Sequence, residues 1–232
     1  FIFKTDNNYK EHYLAGEELV FKIRIFGYIK QFIPYVIESW KKLQKIGLGS
    51  GRSNFLLKNI WSENDIKGEK ARIFDYKDSE IKNINNYTYI DDINKEESYF
   101  NDKVTLLFKT PTLIKVNGKY IKNNLEFSLL MRTLFRRLST MAAFYGEEMN
   151  IYFNEYLNKA EQIKLLNKDL EWNAWSRYSD KQNKKIKMKG FTGAVSYEGE
   201  IADFLPYLIY AQYLNLGKNT VFGQGNFELL NY

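Results

Sequence analysis

Three lysines at alternate positions, Lys185, Lys187 and Lys189, lie close to Arg177, Lys181 and Lys184. A strand through Lys185-Ile186-Lys187-Met188-Lys189 would send three ammonium groups to one face and Ile186 and Met188 to the other. Such a row can track a chain of phosphates. The same row can guard an edge strand against aggregation. Lysines 185, 187 and 189 alone do not separate these readings, but Arg177, Lys181 and Lys184 fall within one hairpin of them. That concentration of charge favours a nucleic acid.

A second stretch points the same way. Gly217-Lys218-Asn219-Thr220-Val221-Phe222-Gly223-Gln224-Gly225 places three glycines and four polar residues in one loop. Glycines admit positive φ and let backbone N–H groups approach a ligand. With Lys218, Asn219 and Thr220 in the same turn, the matching ligand is a phosphate. A tight helix-to-strand connection without a ligand accounts for the loop equally well. Gly47-Leu48-Gly49-Ser50-Gly51-Arg52 is a further glycine-rich connecting turn.

For acid–base chemistry the chain offers one imidazole, His12, in a polar segment. An imidazole is the side chain type suited to proton transfer near neutrality, yet a solvated bystander satisfies the sequence as well. Tyr178, Lys181 and Lys189 are weaker substitutes. The pairs Asp91-Asp92 and Glu96-Glu97 read as a solvated charge run, because no histidine accompanies them. There is no cysteine, which excludes disulfides and thiolate metal sites and fits a cytoplasmic protein. No metal and no cofactor is expected.

The 34 Lys and Arg against 28 Asp and Glu give a net charge of +6, which permits a nucleic-acid partner. No 18-residue apolar run suggests a membrane span. Monomer and homodimer are both compatible with the sequence.

The elements that would position these residues follow from periodicity. Leu19 to Phe26 alternates as a strand. Gln31 to Lys45 repeats apolar residues at three and four as a helix, and Phe55 to Trp61 reads as the returning strand. Short strands are expected near Ile73 and Tyr87. Val104 to Lys109 is a strand. Leu125 to Tyr145 is a helix, with Asn124 as its cap and Arg132, Arg136 and Arg137 on its surface. Residues 151–168 carry some helical character. Leu170 to Tyr178 and Phe191 to Tyr197 are strands, Ile201 to Tyr213 is a helix, and Asn226 to Leu230 closes the chain as a strand.

An ungapped self-similarity at an offset of 172, from Pro34 to Pro206, joins two of these units. Phe32, Tyr35 and Ile37 match Phe204, Tyr207 and Ile209; Gly27 and Gly51 match Gly199 and Gly223; Asn54-Phe55 matches Asn226-Phe227; Leu57 and Asn59 match Leu229 and Asn231. A fixed spacing implies a repeated structural unit. The expected fold is therefore α+β, with tandem ferredoxin-like βαββαβ domains. Residues 1–61 form the second half of an N-terminal domain, 62–102 a connector, and 103–232 a full C-terminal domain. The first strand and helix of the N-terminal domain are expected to be missing from this chain, with residues 1–17 contributing a preceding strand.

Those residues resemble a known group. Gly190-Phe191-Thr192-Gly193, Tyr197-Glu198-Gly199, Phe204-Leu205-Pro206 and the loop from Leu216 to Gly225 are similar to the C-terminal domain of the CRISPR-associated RAMP superfamily. Within it, the resemblance is to the endoribonucleases that process CRISPR repeat precursor RNA. Phe26-Gly27, Ile33-Pro34-Tyr35 and Gly47 to Arg52 look like the preceding domain of that family, and Trp175 to Gln182 like its polar hairpin. The resemblance implies metal-independent cleavage of repeat RNA by attack of a ribose 2′-OH, with CRISPR repeat RNA and other Cas subunits as partners. It also implies RNA contacts at Gly217, Lys218, Asn219, Thr220, Gly223 and Gly225, at Arg52, and along the hairpin from Arg177 to Lys189. Two departures stand out. His12 is the sole histidine, and Asn215 stands where some relatives place one. A non-catalytic subunit that holds guide RNA, and a protein-assembly domain, are the competing classes.

Overall fold

The computed structural model describes residues 1–4, 10, 12–49, 51–78, 80–82, 86–89, 102–149, 152–179 and 182–230. Its strands are β1 (Ile2–Lys4), β2 (Lys22–Arg24), β3 (Asn59–Asn64), β4 (Glu69–Asp75), β5 (Lys103–Thr112), β6 (Lys115–Val116), β7 (Lys119–Tyr120), β8 (Lys164–Ser179), β9 (Lys184–Glu198) and β10 (Phe227–Leu230). Its α-helices are α1 (Ile33–Ile46), α2 (Phe127–Tyr145), α3 (Phe153–Ala160) and α4 (Leu205–Leu214). Asp91-Asp92, Glu96-Glu97, Lys181 and Asn231 lie outside the described residues. The chain divides into two compact units, Phe1–Ile25 with Ser98–Tyr232, and Phe26–Glu97.

In the larger unit the sheet order is β10-β5-β9-β8, all neighbours antiparallel. With α2 between β5 and β8 and α4 between β9 and β10, this is the ferredoxin-like βαββαβ plan. The expected strands are present but longer. In particular, β9 unites the lysine row and Phe191 to Tyr197 in one strand of 15 residues. Alternation puts Val104, Leu106 and Phe108 of β5 on the buried side with Val195 and Tyr197 of β9. On α2, Phe127, Leu130, Met131, Leu134, Phe135 and Leu138 recur at three and four and are all buried. On α4 the buried residues are Leu205, Leu208, Ile209 and Ala211. Each large apolar side chain among them contributes roughly 1.5–3 kcal/mol on leaving water.

The core also holds one tethered hydroxyl. Tyr197 packs edge-on against Phe127 and donates its O–H to the Leu125 carbonyl at 2.7 Å. Removing that donor leaves a buried carbonyl unpaired, so Tyr197→Phe is expected to cost about 1–3 kcal/mol in urea denaturation. Burial pushes the Tyr197 pKa well above the ordinary tyrosine value. The folded chain therefore keeps a proton that the unfolded chain releases from pH about 10 upward. This contribution is complete below that pH and lost above it. Tyr197→Phe should accordingly flatten the alkaline fall in stability.

Some local expectations need correction. Asn124 does not cap α2: Glu126 is the N-cap, no side chain caps the helix, and Asn124 instead donates to Glu126 Oε1 at 3.2 Å. Arg132 and Arg136 are at the surface, but Arg137 turns inward and donates from Nε and Nη2 to the Leu214 carbonyl at the end of α4. Burial holds its pKa below the usual arginine value. A cation on the last carbonyl of a helix complements the helix dipole.

Near the N-terminus, β1 pairs with β2, Ile2 opposite Arg24, within the larger unit. In the smaller unit α1 begins at Ile33, and α4 begins at Leu205, so the 172 offset holds at the start of both helices. It is lost at the returning strand. Residues 55–58 are not a strand, because the Leu57 N–H donates to Gln44 Oε1 of α1 at 2.7 Å rather than to a ladder. The strand β3 starts later, and the expected boundary at residue 61 falls inside it. It forms a hairpin with β4, and Ile37, Ile73 and Phe74 make the core there. Tyr87 is not in a strand; its carbonyl accepts from Asn64 Nδ2 at 2.9 Å. No described helix is long and apolar enough to cross a membrane.

Candidate nucleic-acid interface

The lysine row lies on the part of β9 that reaches beyond β5. Pairing of β5 with β9 ends at Thr112 and Phe191, so from Gly190 back to Lys184 the strand pairs with β8 alone. Register puts Tyr178 opposite Lys185, Ser176 opposite Lys187 and Ala174 opposite Lys189. Lys184, Lys185 and Lys187 are exposed, Lys189 is half-buried, and Met188 is buried on the other face. Tyr178 is 55% exposed beside the row. None of the four lysines makes an ion pair with a described carboxylate, unlike Lys103, Lys109 and Lys159 elsewhere in the unit.

The opposite face of the hairpin meets the glycine-rich loop. Arg177 stacks its guanidinium over the Phe222 ring at 4.1 Å, and its Nε is buried without a hydrogen-bond partner. Gln224, itself buried, donates from Nε2 to the Lys189 carbonyl at 3.2 Å and accepts from Asn219 Nδ2 at 2.7 Å. Asn215, also buried, donates to the Gln224 carbonyl at 2.9 Å. Thr110 Oγ1 donates to the Gly223 carbonyl and accepts from the Asn226 N–H. These bonds join the loop to β5 and β9, so hairpin and loop form one assembly.

Several amides of the loop bond within the protein. The N–H groups of Leu216, Lys218, Phe222, Gly223 and Gly225 donate to the carbonyls of Gly225, Leu113, Asn219, Thr220 and Pro111. Those amides are occupied by the protein's own backbone. The glycines serve the same packing. A Cβ on Gly225 would sit 1.8 Å from the Leu216 oxygen, and one on Gly223 would sit 2.8 Å from the Phe3 oxygen. Gly217 approaches the Leu113 carbonyl in the same way. Thr220 is buried, while Lys218 is exposed and Phe222 is 50% exposed. The loop thus presents the side chains of Lys218 and Phe222 outward.

His12 is exposed in a segment without strand or helix. Arg52 belongs to the smaller unit, in the turn after α1, with φ of 49°. Sequence reasoning missed Gln224 and the hairpin β6–β7. The hairpin had a readable signal, Asn117-Gly118 between short alternating segments. Gln224 had none, since its partners are set by tertiary packing.

A sequence model of the family described as CRISPR-associated endoribonuclease Cas6 matches residues 106–227, more than half of the chain. A second, described as an N-terminal domain, matches residues 1–86. No curated protein sequence gives a match. Among solved structures, a Cas6 (TTHA0078) product complex is 22% identical with a TM-score of 0.44, over 62% of this chain and 56% of that one. Thermus thermophilus Cas6 (TTHB231) is 17% identical with a TM-score of 0.48, over 62% and 58%. A chain of a partial Cas6-RT-Cas1–Cas2 complex is 16% identical with a TM-score of 0.42, over 56% and 22%. The match thus spans a little over half the length of the two Cas6 chains.

Proposed function

The chain belongs to the CRISPR-associated endoribonuclease Cas6 family, and from that premise we propose that it binds CRISPR repeat precursor RNA and cleaves it. The observation that carries this reading is the family match itself, which runs across β5–β9, α4 and the glycine-rich loop. The basic hairpin supports it: Lys184, Lys185, Lys187 and Lys189 lie without described carboxylate partners beside the exposed ring of Tyr178. Arg177, Lys218 and, in the smaller unit, Arg52 are the further contacts to phosphate, together with Lys181. Other Cas subunits are the proposed protein partners.

The proposed chemistry uses no divalent metal. A base takes the proton of a ribose 2′-OH, the 2′-oxygen attacks the adjacent phosphorus, and the bond to the 5′-oxygen breaks. An acid then protonates that 5′-oxygen, leaving a 2′,3′-cyclic phosphate and a 5′-hydroxyl. Lysines and arginines around the phosphate stabilise the added negative charge. His12 is the one imidazole available as base or acid. Incubation of the full-length protein with repeat RNA tests the reading: cleavage is expected. If His12 transfers the proton, His12→Ala lowers the rate roughly 10²–10⁴-fold with binding retained. An unchanged rate assigns the proton transfer to another group. Binding without any cleavage would make the chain a guide-holding subunit and overturn the enzymatic reading.

A further inference from the structure

The hairpin β6–β7 carries chemistry that neither the lysine row nor the glycine-rich loop accounts for. Asn117 and Gly118 have φ of 47° and 83°, as a two-residue hairpin turn requires. The turn sets Lys115 opposite Tyr120, and Lys115 Nζ lies 5.7 Å from the Tyr120 ring centroid. Lys189 Nζ of β9 lies 4.0 Å from the same centroid. The Trp172 ring of β8 is 6.4 Å from that of Tyr120, and Lys122 Nζ is 5.8 Å from the Trp172 centroid.

Three ammonium groups therefore gather on two adjacent rings. The ring faces offset part of their mutual repulsion. No described carboxylate pairs with Lys115, Lys122 or Lys189, although Lys70 pairs with Glu63 and Lys103 with Glu198 elsewhere in the chain. By the register of β8 and β9, Trp172 and Lys189 share a face with Lys187 and Lys185. The cluster is thus the inner end of the lysine row. Cations around aromatic faces, continuous with a phosphate-tracking row, are the composition of a single-strand nucleic-acid platform.

We propose that this cluster holds one unpaired nucleotide of the RNA, its phosphodiester among Lys115, Lys122 and Lys189 and its base or ribose against Tyr120 and Trp172. The proposal rests on the reading that the chain binds repeat RNA. It assigns the cluster to the RNA's single-stranded flank, because a base inside a duplex has no ring face free to stack.

Fluorescence anisotropy with the full-length protein tests it, using repeat RNA with and without its unpaired flanks and inorganic phosphate as a competitor. Tyr120→Ala should weaken binding of flanked RNA about 5- to 150-fold and leave flank-free RNA unaffected. Tyr120→Leu keeps apolar bulk without the ring and should behave like Tyr120→Ala; wild-type affinity in that variant would overturn the stacking role. Lys115→Ala/Lys122→Ala should lower the salt slope by about 0.7 for each phosphate that the two lysines neutralise. Inorganic phosphate bound at these lysines, with RNA affinity unchanged in the variants, would make this a free-anion site and overturn the RNA assignment. If the cluster variants bind like wild type while Lys185→Ala/Lys187→Ala weakens both RNAs, the proposal falls and the RNA reading stands. Wild-type protein that binds neither RNA sinks both.

Discussion

Gly225→Val is expected to remove more than about 3 kcal/mol of stability, enough to unfold much of the protein given typical domain stabilities of about 5–15 kcal/mol. The residue has φ of 79°, where a β-branched side chain is an outlier. The added Cβ would lie 1.8 Å from the Leu216 oxygen, and that atom is backbone, with no rotamer to yield. Leu216 also donates its N–H to the Gly225 carbonyl at 2.8 Å, so separating the two segments breaks a bond as well as relieving a clash. Gly16→Val is the control. Its φ is 89°, yet nothing lies within 4 Å of its Cβ, so it carries backbone strain of roughly 1–3 kcal/mol without the collision. Urea denaturation of both variants should separate them clearly. Equal losses would show that the close approach of the loop to Leu216 contributes nothing beyond strain.

RNA affinity should depend on salt less steeply once the outer lysines are gone. Lys185→Ala/Lys187→Ala removes two ammonium groups from one face of β9, neither paired with a described carboxylate. Each phosphate contact to single-stranded RNA contributes about 0.7 to the slope of log affinity against log salt, so the double variant should flatten it by about 1.4. Affinity at low salt should fall accordingly, and stability in urea should hardly move, since both side chains are exposed. An unchanged slope would return the lysines to guarding the open edge of β9 beyond Phe191.

Much of the larger unit was legible in the sequence because β5 alternates cleanly and α2 keeps apolar spacing, whereas the start of β8, Lys164 to Lys168, carries no alternation and reads as a connector. The order β10-β5-β9-β8 follows from that pattern and the βαββαβ plan. Features that depend on tertiary partners were not legible. Gln224 reads as one more polar loop residue until its amide meets the Lys189 carbonyl and the Asn219 side chain. The glycines announce close approach or positive φ, but a phosphate and a protein carbonyl make the same demand on the sequence; at Gly225 the neighbour is Leu216. Residues 55–58 alternate like a strand and are diverted by Gln44. The Asn117-Gly118 turn was readable, and with it the hairpin, but the cluster around Tyr120 also needs Trp172 and Lys189 from distant strands.

The central claim is tested most directly by the ends of the RNA fragments that the full-length protein makes from repeat RNA in excess chelator. Attack by the 2′-OH predicts undiminished cleavage, a 2′,3′-cyclic phosphate on the upstream fragment and a 5′-hydroxyl on the downstream one. Cleavage that stops without divalent metal, or that leaves a 3′-hydroxyl and a 5′-phosphate, would contradict it.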